Sequence, residues 1–310
     1  MATHPFTLRQ LQYVVAVADT LGFRRAAEAC HVSQPSLSAQ LAHVEDALGV
    51  KLFERDRRRV LPTAAGRVLI ERARQVLTAA DDLVHSARAL GDPLRATLRV
   101  GVIPTISPYL LPETMRAIRS KLGGLTVLWI EERTEVLLRD LHEGRIDGAL
   151  LAIVPGLGDV ETLAIAEDRF VLAGAAGNPL LRGRRSATPA DLEGEQVLLL
   201  EDGHCFRDQV LAICARAHAG EGDFRATSLA TLAQVVAGGA GVTLLPELSL
   251  AVENRRGELA IRRFAEPAPR RRLALIWRRN AALAVGLRAL GETIRAAYPK
   301  TTGKGGAPVA

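Results

Sequence analysis

The chain has 310 residues, too many for one small core, so two or three units are expected. Its 48% hydrophobic and 24% charged residues exclude a disordered chain, and no run of about 18 uncharged apolar residues marks a membrane-spanning helix. The net charge of +6 points to an anionic partner, but residues 1–62 hold eight Lys/Arg against six Asp/Glu while 255–279 hold nine Arg against two Glu, so charge alone does not locate the basic surface. The N-terminal "MATHPFTLRQLQYVV" lacks a charged segment followed by an apolar block and a cleavage site. A cytoplasmic chain is expected, its three cysteines reduced at rest and free to form at most a transient disulfide.

In chain order, Leu8, Leu11, Val14 and Ala18 recur at helical spacing behind a Thr7 cap. Ala26, Ala27 and Cys30 mark a short second helix, with Cys30 as buried packing. A tight "HVS" turn follows. Ser33 is a good N-cap and Pro35 falls in the first turn of a third helix, which runs to Leu48 and stops at Gly49. Leu37, Leu41, Val44 and Leu48 form its apolar stripe. Two helices joined by a three-residue turn make a helix-turn-helix. The second would place Ser33, Gln34, Pro35, Ser36, Ser38 and Gln40 toward the major groove, where Gln and Ser hydrogen-bond base edges. "RDRRR", with Arg55, Arg57 and Arg58, would form a wing that neutralises phosphates. From Thr63 to about Leu90 runs one long helical pattern, apolar on one side and suited to dimerisation.

After Pro93 strand and helix patterns alternate. Strands are read at 96–104, 125–132, 145–154, 169–175, 195–201, 241–247 and 271–278. Helices are read at 108–121, 134–143, 205–218, 228–237 and 281–297. This order implies parallel sheets in two small α/β halves with a cleft between them.

The N-terminal 60 residues resemble the LysR-type transcriptional regulators. Ala26, Ala27, Ser33, Gln34, Ser36, Ser38, Leu41, Glu45, Leu48, Gly49, Leu52, Phe53, Arg55, Thr63 and Gly66 all fall on that family's signature. The resemblance implies an N-terminal all-α winged helix-turn-helix over 1–62 and a linker and dimerisation helix over 63–92. It also implies an α/β effector domain over 93–300, with two Rossmann-like halves similar to periplasmic binding proteins. The halves are expected at 93–167 with 273–300, and at 168–272; the tail 301–310 is expected to be disordered. Promoter DNA, RNA polymerase and assembly as a homotetramer (a dimer of dimers) follow as expected partners.

One stretch, "HCFRDQVLAIC", places Cys205 and Cys214 nine positions apart. They read as core packing, as a metal site lacking a recognisable fourth ligand, as a thioredoxin-like pair lacking the C-x-x-C spacing, or as a reversible switch. Cys205 falls in the first turn of a helix, where free N–H groups and the dipole favour a thiolate, with His204 or Arg207 adding positive charge. If the segment is helical, nine residues rise about 13 Å, whereas a disulfide needs Cα atoms within about 7 Å. A bond between the two would therefore require the helix to unwind.

The same stretch, with "GVIPTISPYLLP", "FRATSLATL" and "GVTLLPEL", is similar to the hydrogen-peroxide-sensing members of the LysR-type family. That likeness implies Cys205 as the peroxidatic thiol and Cys214 as the resolving one. It also implies Thr105, Thr134 and His204 as peroxide-binding groups, Arg272 beside the Cys205 sulfur, and Asp208 assisting proton transfer. Hydrogen peroxide would be the effector, a cellular thiol system the reductant, and no cofactor or metal is expected. The rivals are a regulator binding a small metabolite in the same cleft, and a thiol peroxidase.

Overall fold

The structure is a computed structural model that describes residues 4–55, 60–89, 93–182 and 185–299. The chain divides into two units, Met1–Gly91 with His142–Arg145, and Asp92–Leu141 with Ile146–Ala310.

The first unit is built on three helices, α1 (Leu8–Thr20), α2 (Phe23–Ala29) and α3 (Gln34–Leu48). Thr7 and Gln10 form a reciprocal capping box at the start of α1, which satisfies two otherwise orphan donors. Ser33 caps α3 by accepting from the Ser36 amide at 3.3 Å, and Gly49 closes it in the left-handed region at φ +68°. Val14, Val17, Ala26, Leu37, Leu41 and Val44 interlock as the core. Cys30 is the C-cap of α2 and only half-buried, packed on the edge of this core rather than inside it. A two-stranded antiparallel wing, β1 (Phe53–Arg55) and β2 (Val60–Pro62), follows. Its entry is fixed by Glu45, a buried carboxylate that accepts from the Leu52 and Phe53 amides at 2.8 and 3.3 Å and pairs with Lys51 at 3.0 Å. Arg57 and Arg58 lie outside the described residues, as does the Arg55 side chain. Helix α4 (Ala64–Ala89) leaves Val68, Val76, Leu83 and Val84 exposed along it.

The second unit is a mixed sheet. The strands are β3 (Thr97–Val102), β4 (Thr126–Glu131), β5 (Gly148–Ala152), β6 (Val160–Ala175), β7 (Gln196–Leu200), β8 (Gly220–Ala226), β9 (Val242–Pro246), β10 (Leu259–Arg263) and β11 (Arg270–Arg278). Their order is β4-β3-β5-β11-β6-β9-β7-β8, with β10 also paired to β6. The 16-residue β6 serves both halves. Its first part pairs β11 and its second part pairs β9 and β10, all antiparallel. The helices are α5 (Ser107–Lys121), α6 (Thr134–His142), α7 (Cys205–Ala217), α8 (Leu229–Ala237), α9 (Leu250–Glu253) and α10 (Ala284–Ala297). This two-lobed α/β fold agrees with the sequence reading, but purely parallel sheets were expected and the crossing strands are antiparallel. The first part of β6, β8 and β10 were not expected either. They mix charged residues into short or shared strands, so no clean alternation marks them. No described helix is long and apolar enough to cross a membrane.

The Arg-rich stretch 255–279 is largely consumed by internal pairing. Arg262 donates to the carbonyls of Leu180, Arg185 and Ser186, Arg263 to Glu247, Arg270 to Glu167 and Glu266, and Arg279 to Asp159. The positive charge excess therefore does not mark a polyanion surface there.

Gly66 gives a direct test of the wing junction. Its amide donates to Thr63 Oγ1 at 2.8 Å, and a Cβ there would collide with the Leu52 carbonyl oxygen. Gly66→Ala is expected to lower stability of the first unit by about 1–3 kcal/mol, as overpacking does, measured by urea denaturation followed by circular dichroism.

Candidate functional site

Two sites emerge, one in each unit. In the first, α3 presents Ser33, Gln34, Pro35, Ser36 and Gln40 to solvent, with Ser38 half-buried beside them. Leu37 and Leu41 face the other way, into the core. Gln40 is already engaged: its Oε1 accepts from Gln10 Nε2 at 2.8 Å, which fixes the side chain and leaves its NH₂ group to donate. The arrangement is that of a recognition helix whose N-terminal turn is free to enter a groove.

In the second unit the chain leaves β7, turns through Asp202 and Gly203 (φ +90°), and starts α7 at Cys205 with His204 as N-cap. Both Cys205 and Cys214 are reduced and buried, 7% and 3% exposed. Cys214 packs inward with Val210 and Ile213 on the same face of α7. Cys205 lines a cleft of about 570 Å³ together with Thr134, Asp208 and Gln209. Thr134 is the first residue of α6 and 5% exposed; its hydroxyl has no oxygen or nitrogen partner among the described residues and lies by the Cys205 thiol. Gln209 Oε1 is likewise buried without a hydrogen-bond partner among the described residues.

Thr105 does not line this cleft. Its hydroxyl and carbonyl oxygens accept from Arg271 at 2.7 and 2.9 Å. Arg271, not Arg272, is the cation near Cys205. Successive side chains on β11 point to opposite faces, so Arg270 and Arg272 are exposed while Arg271 is fully buried. The Arg271 guanidinium pairs with the equally buried Asp168 at 2.9 Å and lies 5.5 Å from the Phe206 ring centre. Asp168 in turn accepts from the Leu248 amide at 3.0 Å. Arg271, Asp168 and Gln209 were missed in the sequence. The alternation Arg271, Leu273, Leu275, Trp277 was the available signal for the first, but both faces of β11 are buried from Leu273 onward, which obscures it.

The electrostatics also differ from expectation. Burial pushes the Cys205 thiol above its ordinary range, outweighing the Thr134 hydroxyl and the Arg271 charge, which both favour the thiolate. His204 supplies no positive charge: burial and the nearby Arg133 push its imidazole below the ordinary histidine value, and its Nε2 has no partner among the described residues. Arg207 is committed elsewhere. It forms a bidentate pair with Glu221 at 2.8 and 3.0 Å, donates to the Leu200 carbonyl at 3.1 Å, and meets Asp202 at 2.9 Å. Asp208 is exposed on the cleft wall, and its charge opposes formation of the Cys205 thiolate.

Known proteins share this framework. Residues 8–67 match the bacterial regulatory helix-turn-helix family described as lysR, and residues 91–299 match the LysR substrate binding domain. A hydrogen peroxide-inducible genes activator of Pectobacterium carotovorum is 41% identical over 93% of this chain and 95% of its own length. The Escherichia coli K12 DNA-binding transcriptional dual regulator OxyR is 40% identical, with the same coverage of 93% and 95%. Among solved structures, a full-length OxyR cysteine-to-aspartate variant of Pseudomonas aeruginosa superposes with a TM-score of 0.77 at 33% identity, covering 94% of this chain and 96% of that one. A hydrogen-peroxide-bound OxyR cysteine-to-serine mutant of Corynebacterium glutamicum gives 0.65 at 32% identity, covering 96% and 94%.

Because the Cys205 pKa is raised, its thiol is protonated at neutral pH and gains reactivity as pH rises through and beyond the ordinary thiol range. In a chain lacking Cys30 and Cys214, iodoacetamide alkylation should show no plateau near pH 7. Thr134→Val removes a group that favours the thiolate and should slow alkylation further at any given pH; a rate already level at neutral pH would contradict the burial argument.

Proposed function

This chain belongs to the LysR family of bacterial helix-turn-helix regulators, and from that we propose that it is a peroxide-sensing transcriptional regulator switched by a reversible Cys205–Cys214 disulfide. The observation that carries this reading is a buried thiol at the first residue of a helix, on the wall of a cleft beside the buried Thr134 hydroxyl, with the second thiol on the same helix. The 41% and 40% identical relatives over nearly their full length support it.

The chemistry balances without a cofactor. The Cys205 thiolate attacks one oxygen of hydrogen peroxide; an S–O bond forms, the O–O bond breaks, and hydroxide leaves to take up a proton as water. Thr134 and Gln209 offer a hydroxyl and a carbonyl to hold the peroxide. Arg271 favours the thiolate, and Asp208 on the wall is placed to pass a proton to the leaving oxygen. Thr105 acts through Arg271, which it holds, and His204 as a neutral imidazole next to the reacting cysteine. The Cys214 thiol then displaces the sulfenic oxygen as water, closing the disulfide. Peroxide is consumed once per disulfide, a cellular dithiol supplies the two electrons that reset it, and the output is read on DNA as a regulator's is.

Closing that bond is the conformational signal. Cys205 and Cys214 lie on one continuous helix, about 13 Å apart along its axis, against about 7 Å between Cα atoms in a disulfide. The first turn of α7 must therefore unwind. Arg207 opposes this, because its four bonds to Glu221, Asp202 and Leu200 hold that turn in place. The signal is read out on promoter DNA by residues 33–40, with the wing arginines Arg55, Arg57 and Arg58 on the phosphates. Assembly as a tetramer through the exposed apolar positions of α4, contact with RNA polymerase, and a cytoplasmic location complete the proposal.

One equivalent of hydrogen peroxide is expected to remove two free thiols from the protein, one from Cys214→Ser and none from Cys205→Ser, counted with a chromogenic disulfide reagent alongside mobility shift of a promoter fragment. No thiol loss would sink the reading. Glu221→Gln is expected to loosen Arg207 and speed disulfide closure by about tenfold, equivalent to about 1.4 kcal/mol of restraint. Stopped-flow fluorescence should resolve that step from the initial oxidation, whose rate is expected to stay unchanged.

A further inference from the structure

The cleft at Cys205 is far larger than hydrogen peroxide requires. Its volume is about 570 Å³, whereas a water molecule's share of the liquid is about 30 Å³ and the peroxide is roughly two such units. The surplus space has a definite character. Leu138, Ile153, Val154, Pro155 and Ala212 supply apolar walls. The polar groups inside it are few: the Thr134 hydroxyl, which lies by the Cys205 thiol, and the Gln209 carbonyl, both buried and without an oxygen or nitrogen partner among the described residues. At the rim, Glu135 and Asp208 are exposed carboxylates without a cationic partner among the described residues, whereas the Asp202 carboxylate is matched by Arg207. An acidic rim disfavours anionic reactants, and an apolar wall has no complement in hydrogen peroxide.

From these features, and resting on the peroxide-sensing reading above, we propose that the cleft also admits uncharged alkyl hydroperoxides, ROOH, with the alkyl group against Ile153 and Leu138 and the peroxidic end at Thr134, Gln209 and Cys205. The single O–H of ROOH matches the single free carbonyl of Gln209, and the Thr134 hydroxyl can donate to its other oxygen. The step balances as before. The Cys205 thiolate attacks the OH-bearing oxygen, the O–O bond breaks, and the alkoxide leaves and takes a proton as the alcohol. Sulfur loses two electrons and the hydroperoxide gains them; Cys214 then expels water to form the disulfide.

The test compares hydrogen peroxide with tert-butyl and cumene hydroperoxide on the full chain, following Cys205 oxidation by stopped-flow fluorescence and thiol count. Ile153→Trp and Leu138→Phe fill the apolar wall, and their rates with hydrogen peroxide report whether each variant is folded and competent. Expected are rates for the alkyl hydroperoxides within about a hundredfold of that for hydrogen peroxide, falling at least about tenfold in one of the filled variants while the hydrogen peroxide rate holds. Alkyl hydroperoxides slower than that hundredfold limit would overturn the proposal. So would filled variants that slow all three oxidants alike or none of them. Failure of hydrogen peroxide itself to oxidise Cys205 would instead remove the underlying sensing reading, and this proposal with it.

Discussion

The second unit is organised around the Arg271–Asp168 pair. Both side chains are almost completely removed from water, where an unmatched charge costs several kcal/mol. The guanidinium is consequently satisfied on every side: by Asp168 from the neighbouring strand β6, by the hydroxyl and carbonyl of Thr105 beyond the end of β3, and by the face of Phe206 in α7. One cation thus joins the end of a parallel strand, the strand shared by both halves, and the first turn of the cysteine-bearing helix. Removing Asp168 leaves a buried charge unmatched, and removing the Thr105 hydroxyl takes an acceptor from a buried donor. The cysteine-bearing helix α7 is held in place by this requirement as well as by its apolar face.

That arrangement explains why a thiol in a favourable place is nonetheless held protonated. A helix start, a hydroxyl and an arginine all favour the Cys205 thiolate, yet desolvation outweighs them. The reduced state is therefore chemically quiet and structurally braced: Arg207 fixes the same turn through Glu221, Asp202 and the Leu200 carbonyl. On the proposed disulfide switch, oxidation requires both access to the buried sulfur and a refolding step. The Arg207 bonds that restrain the helix are those that the proposed switch would have to break.

Charge distribution carries a related lesson in both units. The basic excess of the C-terminal half is spent within the fold, on carboxylates and backbone carbonyls, and marks no anionic partner. Net charge does not distinguish the two units. In the first unit the exposed N-terminal turn of α3 carries uncharged Ser and Gln side chains, and Glu45 turns its charge onto the backbone of the wing.

Much was legible in the sequence where the physics is local. Caps at Thr7 and Ser33, the stop at Gly49, the stripe Leu37–Leu41–Val44 and the long apolar helix each depend on residues within a few positions of one another. The nine-residue spacing of Cys205 and Cys214 on one helix is likewise local, and it alone made any bond between them a conformational event. What the sequence left open was set by residues far apart in the chain. Which of three consecutive arginines turns inward depends on the register of β11 against β6 and on Asp168, 103 positions away. The sign of the Cys205 shift depends on how completely distant elements bury it, and the antiparallel crossing strands depend on a single strand, β6, being long enough to serve two half-sheets. Local propensity and spacing determined the elements and the candidate thiols; only tertiary packing decided which charges are buried together, because desolvation is a property of the assembled surroundings and not of neighbours in sequence.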